Sequence, residues 1–193
     1  LGARLVFDPL HRLEIVTPCT HASAVVVSRA DLARHLPHRP VYLLGAGEAG
    51  AHVSVTRAPS LTDSRVRDAA ARAWAMAGLG PADMDFVQPY DCYSITVIVT
   101  LEDLGFCAKG EGGALVADTD LGRDGALPCN THGGQLGCGQ AGLDGGMTHV
   151  VEGVRQLMGR GGTAQVPGAG AGVVHGNGGI MSEQVTLVLG TTP

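Results

Sequence analysis

The 193-residue chain is 45% apolar with a formal charge of −5, which suits one ordinary domain or two small ones with a real core. Its 13 Lys and Arg are scattered, so no basic footprint for nucleic acid or an anionic membrane is expected, and no apolar run reaches the ~18 to 20 residues of a membrane helix. The five cysteines (Cys19, Cys92, Cys107, Cys129, Cys138) are odd in number and contain no Cys-x-x-Cys pair, which argues against a disulfide framework and structural zinc and for a reduced, cytoplasmic setting.

The chain begins with Leu, and its opening "LGARLVFDPLHRLEIVTP" reads as mid-protein. "ASAVVVSRADLARHL" is expected to be a buried strand over Ala24–Val27 running into a short helix that stops before Pro37. "PVYLLGAGEAG" supplies a strand at Val41–Leu44. "LTDSRVRDAAARAWAMAGLG" is the clearest helix, capped by Thr62 or Asp63, striped by Val66, Ala69, Ala70, Ala73, Trp74 and Ala77, and ended by Gly78 and Gly80. "MDFVQ" reads as a short strand. "DCYSITVIVTLEDLG" pits a β-branched run against a helix-like end at Glu102, Asp103 and Gly105; helix is the reading adopted. "MTHVVEGVRQLMGRGG" is a second helix with Val150, Val151, Val154 and Leu157 on one side. "TAQVPGAGAGVVHGN" and "SEQVTLVLG" form a hairpin-like strand pair. Alternating strands and helices that close on a strand pair indicate an α/β domain with a mixed sheet.

"GAGEAG" (Gly45, Gly47, Gly50) matches the Gly-x-Gly-x-x-Gly dinucleotide pattern after a strand. The β-branched "AHVSVTRAPS" that follows does not open the helix such a site requires, so no nucleotide site is expected there. Glycine-rich backbone lets a ligand approach main-chain N–H groups. Three such stretches, each at a strand end or helix entry, are candidates for one site: "PYDCYS", "CNTHGGQLGCGQAG" and "VVHGNGGIM". Bland readings stand beside them: Cys92, Cys129 and Cys138 as buried small apolar residues, His132 and His175 as satisfied structural histidines, and Tyr90 as a turn anchor. His149, inside the second helix pattern, reads as structural.

In order, "YDCY" (Tyr90–Tyr93), "NTHGGQLGCGQAG" (from Asn130) and "VHGNGGIMSEQVTLVL" (from Val174) resemble three motifs of the thiolase superfamily's C-terminal half, in its sterol-carrier-protein-x and lipid-transfer-protein branch. Those motifs are His-Asp-Cys-Phe, an Asn-x-x-Gly-Gly leading to Gly-His-Pro, and a His-Asn glycine loop before the last strand. The resemblance implies an α/β fold with a five-stranded mixed sheet and helices on both faces. It implies that residues 1–20 lead in from an N-terminal half that carries the family's nucleophilic cysteine, that residues 21–193 form the C-terminal domain, and that this part alone is inactive. A homodimer and an acyl-CoA substrate are implied, with coenzyme A as part of the substrate, no covalently bound cofactor and no metal.

Where the family's Gly-His-Pro histidine stands, this chain has Gln140, which donates a hydrogen bond but cannot act as a base. Steroid side-chain-cleaving aldolases of the superfamily resemble it in having Tyr where Tyr90 stands, though they carry a second Tyr at the Gln140 position. The implied activity is retro-aldol cleavage of a β-hydroxyacyl-CoA. Standard thiolase (acetyl-CoA acyltransferase) activity and a non-catalytic thiolase-like scaffold are the alternatives. Expected catalytic residues are Tyr90, Cys92, Gln140, His132 and His175, with Asn130, Gly133, Gly134, Asn177 and Gly178 as oxyanion or substrate contacts. As a base Tyr90 would need cationic or hydrogen-bonding neighbours, its ordinary pKa being ~10; Cys92 would return a proton to the enolate carbon. Such aldolases also work with a small OB-fold, acyl-CoA-binding partner, which the resemblance extends to this chain.

Overall fold

The computed structural model describes residues 2–193, and Leu1, the first residue of the expected lead-in, lies outside them. A small ribbon of β1 (Leu5–Phe7) and β2 (Leu10–His11) stands apart from the main sheet. There follow α1 (Ala30–Ala33), β3 (Tyr42–Gly50), α2 (Val66–Ala77), β4 (Phe86–Pro89), α3 (Ser94–Leu104), α4 (Gly112–Asp118), α5 (Gly134–Cys138), α6 (Gly145–Leu157), β5 (Ala171–Gly178) and β6 (Glu183–Gly190). The main sheet is mixed and runs β3-β6-β5-β4, with β4 and β5 parallel and the other two pairs antiparallel.

Successive side chains of a strand face opposite ways, and β4 and β5 use this to fill two cores. Val87 and Val173 join Val66, Ala70, Leu101, Leu104 and Leu127 beneath α2 and α3. Phe86 and Val174 join Leu157, Val166, Ala169 and Leu189 beneath α6. Helices therefore cover both faces, as the family resemblance implied, and the α/β class holds. The main sheet has four strands rather than five. No strand forms at Ala24–Val27, where Val26 is 93% and Val27 89% exposed; an apolar run becomes a strand only where a neighbouring edge accepts its hydrogen bonds, and among the described residues none pairs with it.

"GAGEAG" lies wholly inside β3. A Cβ on Gly45 would strike the Ala73 carbonyl oxygen and one on Gly47 that of Ala69, so these glycines let the α2 backbone settle directly on the sheet. The Thr62/Asp63 cap is also corrected: the residue before α2 is Arg65, at φ 65°, without a side-chain cap. Ser60 Oγ instead accepts from the Thr62 and Asp63 amides, because short polar side chains favour such local turns when the backbone offers them. The β-branched Ile95–Thr100 run is helical as expected, and α3 ends at Gly105 in the left-handed conformation.

α6 departs most from its expected stripe. Its fully buried face is Gly145, His149, Glu152, Gly153, Gln156 and Leu157, whereas Val150, Val151 and Val154 are half-buried. The helix thus presents a line of buried polar groups beside its apolar one.

Candidate active site

Because β4 and β5 run parallel in the register Pro89↔His175, the chain leaving β4 starts against the far end of β5. The Tyr90 amide donates to the His175 carbonyl at 2.8 Å. The Val87 amide donates to the Pro128 carbonyl at 2.9 Å, and the Asn130 amide to the Val87 carbonyl at 3.1 Å. The Asn130 side-chain Nδ2 reaches the Pro89 carbonyl at 3.0 Å. All three glycine-rich segments therefore meet at one sheet edge.

Tyr90 is buried, and its hydroxyl accepts a hydrogen bond from Gln140 Nε2 at 2.5 Å. Burial pushes its pKa up, and the electrostatic influence of Cys92 and Asp91 pushes the same way, against hydrogen bonds from Gln135 and Gln140. The cationic neighbours that a tyrosinate base requires are not among these influences, and the phenol keeps its proton. Burial likewise raises the Cys92 thiol. Gln140 is itself gripped by an N-terminal strap, residues 16–21: its amide donates to the Thr17 carbonyl at 2.8 Å, and its carbonyl accepts from the Cys19 amide at 2.9 Å. The same strap receives the Cys92 carbonyl through the Val16 amide at 3.1 Å. It is fastened to the start of α6 by His21 Nδ1 and Asp144 Oδ2, 2.6 Å apart.

Asp91 is buried and accepts from the Gln135 amide at 2.8 Å and the Leu136 amide at 3.2 Å, which closes the first turn of α5. Gly134 has φ 62°, and a Cβ there would strike Asp91 Oδ2, so glycine is required both for the turn and for the approach of the carboxylate. His149, fully buried on α6, places Nε2 3.2 Å from Asp91 Oδ1. Its ring centroid is 6.1 Å from that of Tyr90 and 5.3 Å from that of His132, the two imidazoles standing nearly perpendicular at 85°.

The loop bearing His132 is anchored from below. Thr131 Oγ1 donates to Glu152 Oε1 at 2.7 Å and accepts from Gln88 Nε2 at 3.0 Å and Gln156 Nε2 at 3.1 Å. Gln88, Glu152 and Gln156 are all buried. Buried polar atoms are nearly always paired. Around this edge, however, Asn130 Oδ1, both ring nitrogens of His132, Gln135 Oε1, His149 Nδ1 and Asn177 Nδ2 have no hydrogen-bond partner among the described residues. Such a gathering of unspent donors and acceptors suits a polar ligand. Burial lowers the His132 pKa to about 4, with the charge of His149 acting in the same direction.

The structure brings together Tyr90, Cys92, Asn130, His132, Gly133, Gly134 and Gln140. His175 lies within the sheet, fully buried, with Nδ1 2.9 Å from Thr186 Oγ1 and Nε2 2.9 Å from Gln184 Oε1; burial lowers its pKa to about 4. Asn177, next to last in β5, has an amide nitrogen without a partner among the described residues, and Gly178, which ends the strand, lies exposed and its carbonyl accepts the Ser182 amide. Sequence reasoning passed over Asp91, Gln135 and the Thr131–Glu152–Gln156 network, and read His149 as structural. The spacing of His149, Glu152 and Gln156 by three and four residues was the available signal, since it puts them on one helical face. Among the described residues, no group of three or more His, Cys, Asp and Glu is placed to hold a metal ion, and no helix is long and apolar enough to cross a membrane.

Residues 47–191 match the family model of the thiolase C-terminal domain-like proteins, and the chain belongs to that family. It is 37% identical over 181 residues to an acetyl-CoA acetyltransferase of Methanothermobacter thermautotrophicus, covering 93% of this chain and 47% of that protein. It is 35% identical over 163 residues to a steroid side-chain-cleaving aldolase of Thermomonospora curvata, covering 82% of this chain and 41% of that protein. Among solved structures, the Ltp2-ChsH2(DUF35) aldolase superposes with a TM-score of 0.81 at 30% identity, over 98% of this chain and 49% of that one. The chain thus spans about half the length of these relatives.

Proposed function

We propose that this protein cleaves a carbon–carbon bond of a β-hydroxyacyl-CoA thioester by retro-aldol chemistry. The observation that carries the reading is the Tyr90 hydroxyl held at 2.5 Å by the Gln140 amide, at the position where the thiolases use an imidazole. A protonated phenol braced by a neutral amide donates hydrogen bonds to an oxygen gathering charge, but neither group deprotonates a thiol nucleophile.

In this reading His132 accepts the proton of the substrate's β-hydroxyl. The bond between the α and β carbons breaks, the β carbon becomes a carbonyl, and the electron pair passes into the enolate of the shortened thioester. Tyr90 donates to the enolate oxygen, with the Asn177 amide a second donor at the same edge. Cys92, its thiol kept protonated by burial, gives its proton to the α carbon and is reprotonated by the proton that His132 received. His175 positions the loop through the Tyr90 amide rather than touching substrate.

The aldolase relatives support this assignment. Coenzyme A then enters only as part of the substrate. A homodimer, an N-terminal thiolase half and an acyl-CoA-binding partner of the kind named in the Ltp2-ChsH2(DUF35) aldolase belong to the same proposal, as does a cytoplasmic location. The acetyltransferase relative favours a second reading, ordinary thiolysis, against which Gln140 stands.

The test is an assay of the full-length protein, with and without its candidate partner, against a β-hydroxyacyl-CoA and a β-ketoacyl-CoA, followed by mass spectrometry. A carbonyl product plus shortened acyl-CoA from the hydroxy substrate alone is expected. Tyr90→Phe should lower its kcat by roughly 10²- to 10³-fold, the usual cost of losing one such donor. Coenzyme-A-dependent cleavage of the keto substrate overturns the aldolase in favour of the thiolase, and silence on both substrates leaves a scaffold.

A further inference from the structure

The buried pair Asp91 and His149 has no place in the steps above, yet it lies directly behind them. His149 is sealed from solvent on the polar face of α6. Its Nε2 lies 3.2 Å from Asp91 Oδ1 and 3.3 Å from Gln135 Nε2, and its ring meets the His132 ring edge-on at 5.3 Å. Asp91 is itself immobile, since its carboxylate also takes the amides of Gln135 and Leu136. On the other side, Thr131 is pinned by Gln88, Glu152 and Gln156, which leaves the adjacent His132 little freedom. Neither ring nitrogen of His132 has a hydrogen-bond partner among the described residues.

We infer that His149, set beside Asp91, is a positioning residue that fixes the His132 ring edge-on, with its nitrogens available to the reacting hydroxyl. The inference rests on the reading of His132 as the proton acceptor. The physics is that of two imidazoles in contact beside buried carboxylates: two protons so close together would meet like charge in a poorly solvated place. The charged groups bearing on His132 are His149, Glu152 and Arg155 from α6 and Asp91 from the loop after β4, with the Cys138 sulfur alongside, its Sγ donating to the His132 carbonyl at 3.1 Å. His149 and Arg155 oppose protonation of His132, whereas Glu152 and Asp91 favour it. Removing His149 therefore leaves the two carboxylates less opposed, and His132 takes up a proton more readily.

The experiment is histidine-selective ¹³C labelling of the full-length protein, with the His132 signal identified by its loss in His132→Gln. In the wild type that signal should stay at its neutral position from pH 8 down to 5. In both His149→Gln and His149→Phe its titration should move upward by on the order of one pH unit. The phenylalanine variant keeps a flat ring against His132, so a purely structural role predicts no movement there. The signal of His175, buried in the sheet, reports in the same spectrum whether each variant is folded; if one is not, the other decides. A wild-type His132 that titrates near the ordinary 6.5, or one that ignores both substitutions, overturns the inference. The cleavage assay on His132→Gln separates the two readings. Full activity there, with the titration behaving as expected, rejects His132 as proton acceptor while His149 still sets its protonation.

Discussion

Replacing Thr131 by Val keeps the shape of the side chain and deletes its hydroxyl, which joins the strand, the His132 loop and α6. Three hydrogen bonds are lost: the donation to Glu152 Oε1 at 2.7 Å and the acceptances from Gln88 Nε2 at 3.0 Å and Gln156 Nε2 at 3.1 Å. Gln156 Nε2 retains Glu152 Oε1 at 2.7 Å and the Ala164 carbonyl at 2.8 Å, so its loss is small. Gln88 is fully buried and its amide has no other partner among the described residues, which costs about 1 to 3 kcal/mol for an abandoned donor, and a bond to a charged group adds about 1.5 to 3 kcal/mol. The expected destabilisation is about 3 to 5 kcal/mol. A shift of about 2 to 4 °C per kcal/mol, usual for units of this size, makes this a fall of roughly 10 °C in the melting midpoint of the full-length protein. Thr131→Ser, which restores the hydroxyl, should recover most of it. A Val variant that melts with the wild type would refute the claim that this network holds the loop. A Ser variant as unstable as Val would instead assign the loss to methyl packing.

Three further outcomes follow from the same geometry. His175 and His132 both have folded pKa values of about 4, below the ordinary 6.5; the unfolded chain binds the extra protons, so stability is complete above about pH 6.5 and is lost as pH falls toward 4. For the fully buried His175 the loss at pH 4 is about 3 kcal/mol, and urea midpoints measured across that range should show a shallower slope in His175→Asn. Gly134→Ala should cost more than about 2 kcal/mol, since it forces a side chain into the left-handed region and against Asp91; thermal unfolding of the folded remainder and the yield of soluble protein report it. Gln140→His should reduce cleavage of the hydroxy substrate without creating thiolysis of the keto substrate, because Tyr90 would then face a bulky imidazole where an amide donates at 2.5 Å; the two-substrate assay distinguishes the outcomes.

The local elements were legible because their causes are local. The small-residue stripe of α2, the glycine stops at Gly78 and Gly105 and the glycine-rich turn between β5 and β6 all stand where nearest-neighbour rules put them. The three site loops were legible as glycine-rich punctuation at element ends, and the order of their motifs already pointed to the thiolase-like family. That signal says which loops matter without saying which of their side chains face one another.

The sequence by itself determined the α/β class, most of the elements, the rejection of "GAGEAG" as a nucleotide loop and the presence of glutamine where a histidine is expected. Only the tertiary structure decided that the apolar run Ala24–Val27 has no strand to join, that His149, Glu152 and Gln156 are the buried support of the His132 loop, and that His175 is sealed inside the sheet. The physical reason is range. Helix stops, turns and strand alternation are written within a few residues, whereas the burial of a polar group depends on partners 14 to 50 positions away in the chain, as with Gln135 and His149 or Tyr90 and Gln140. A buried histidine and an exposed one occupy the same place in a helical pattern until the opposing loop is laid against them.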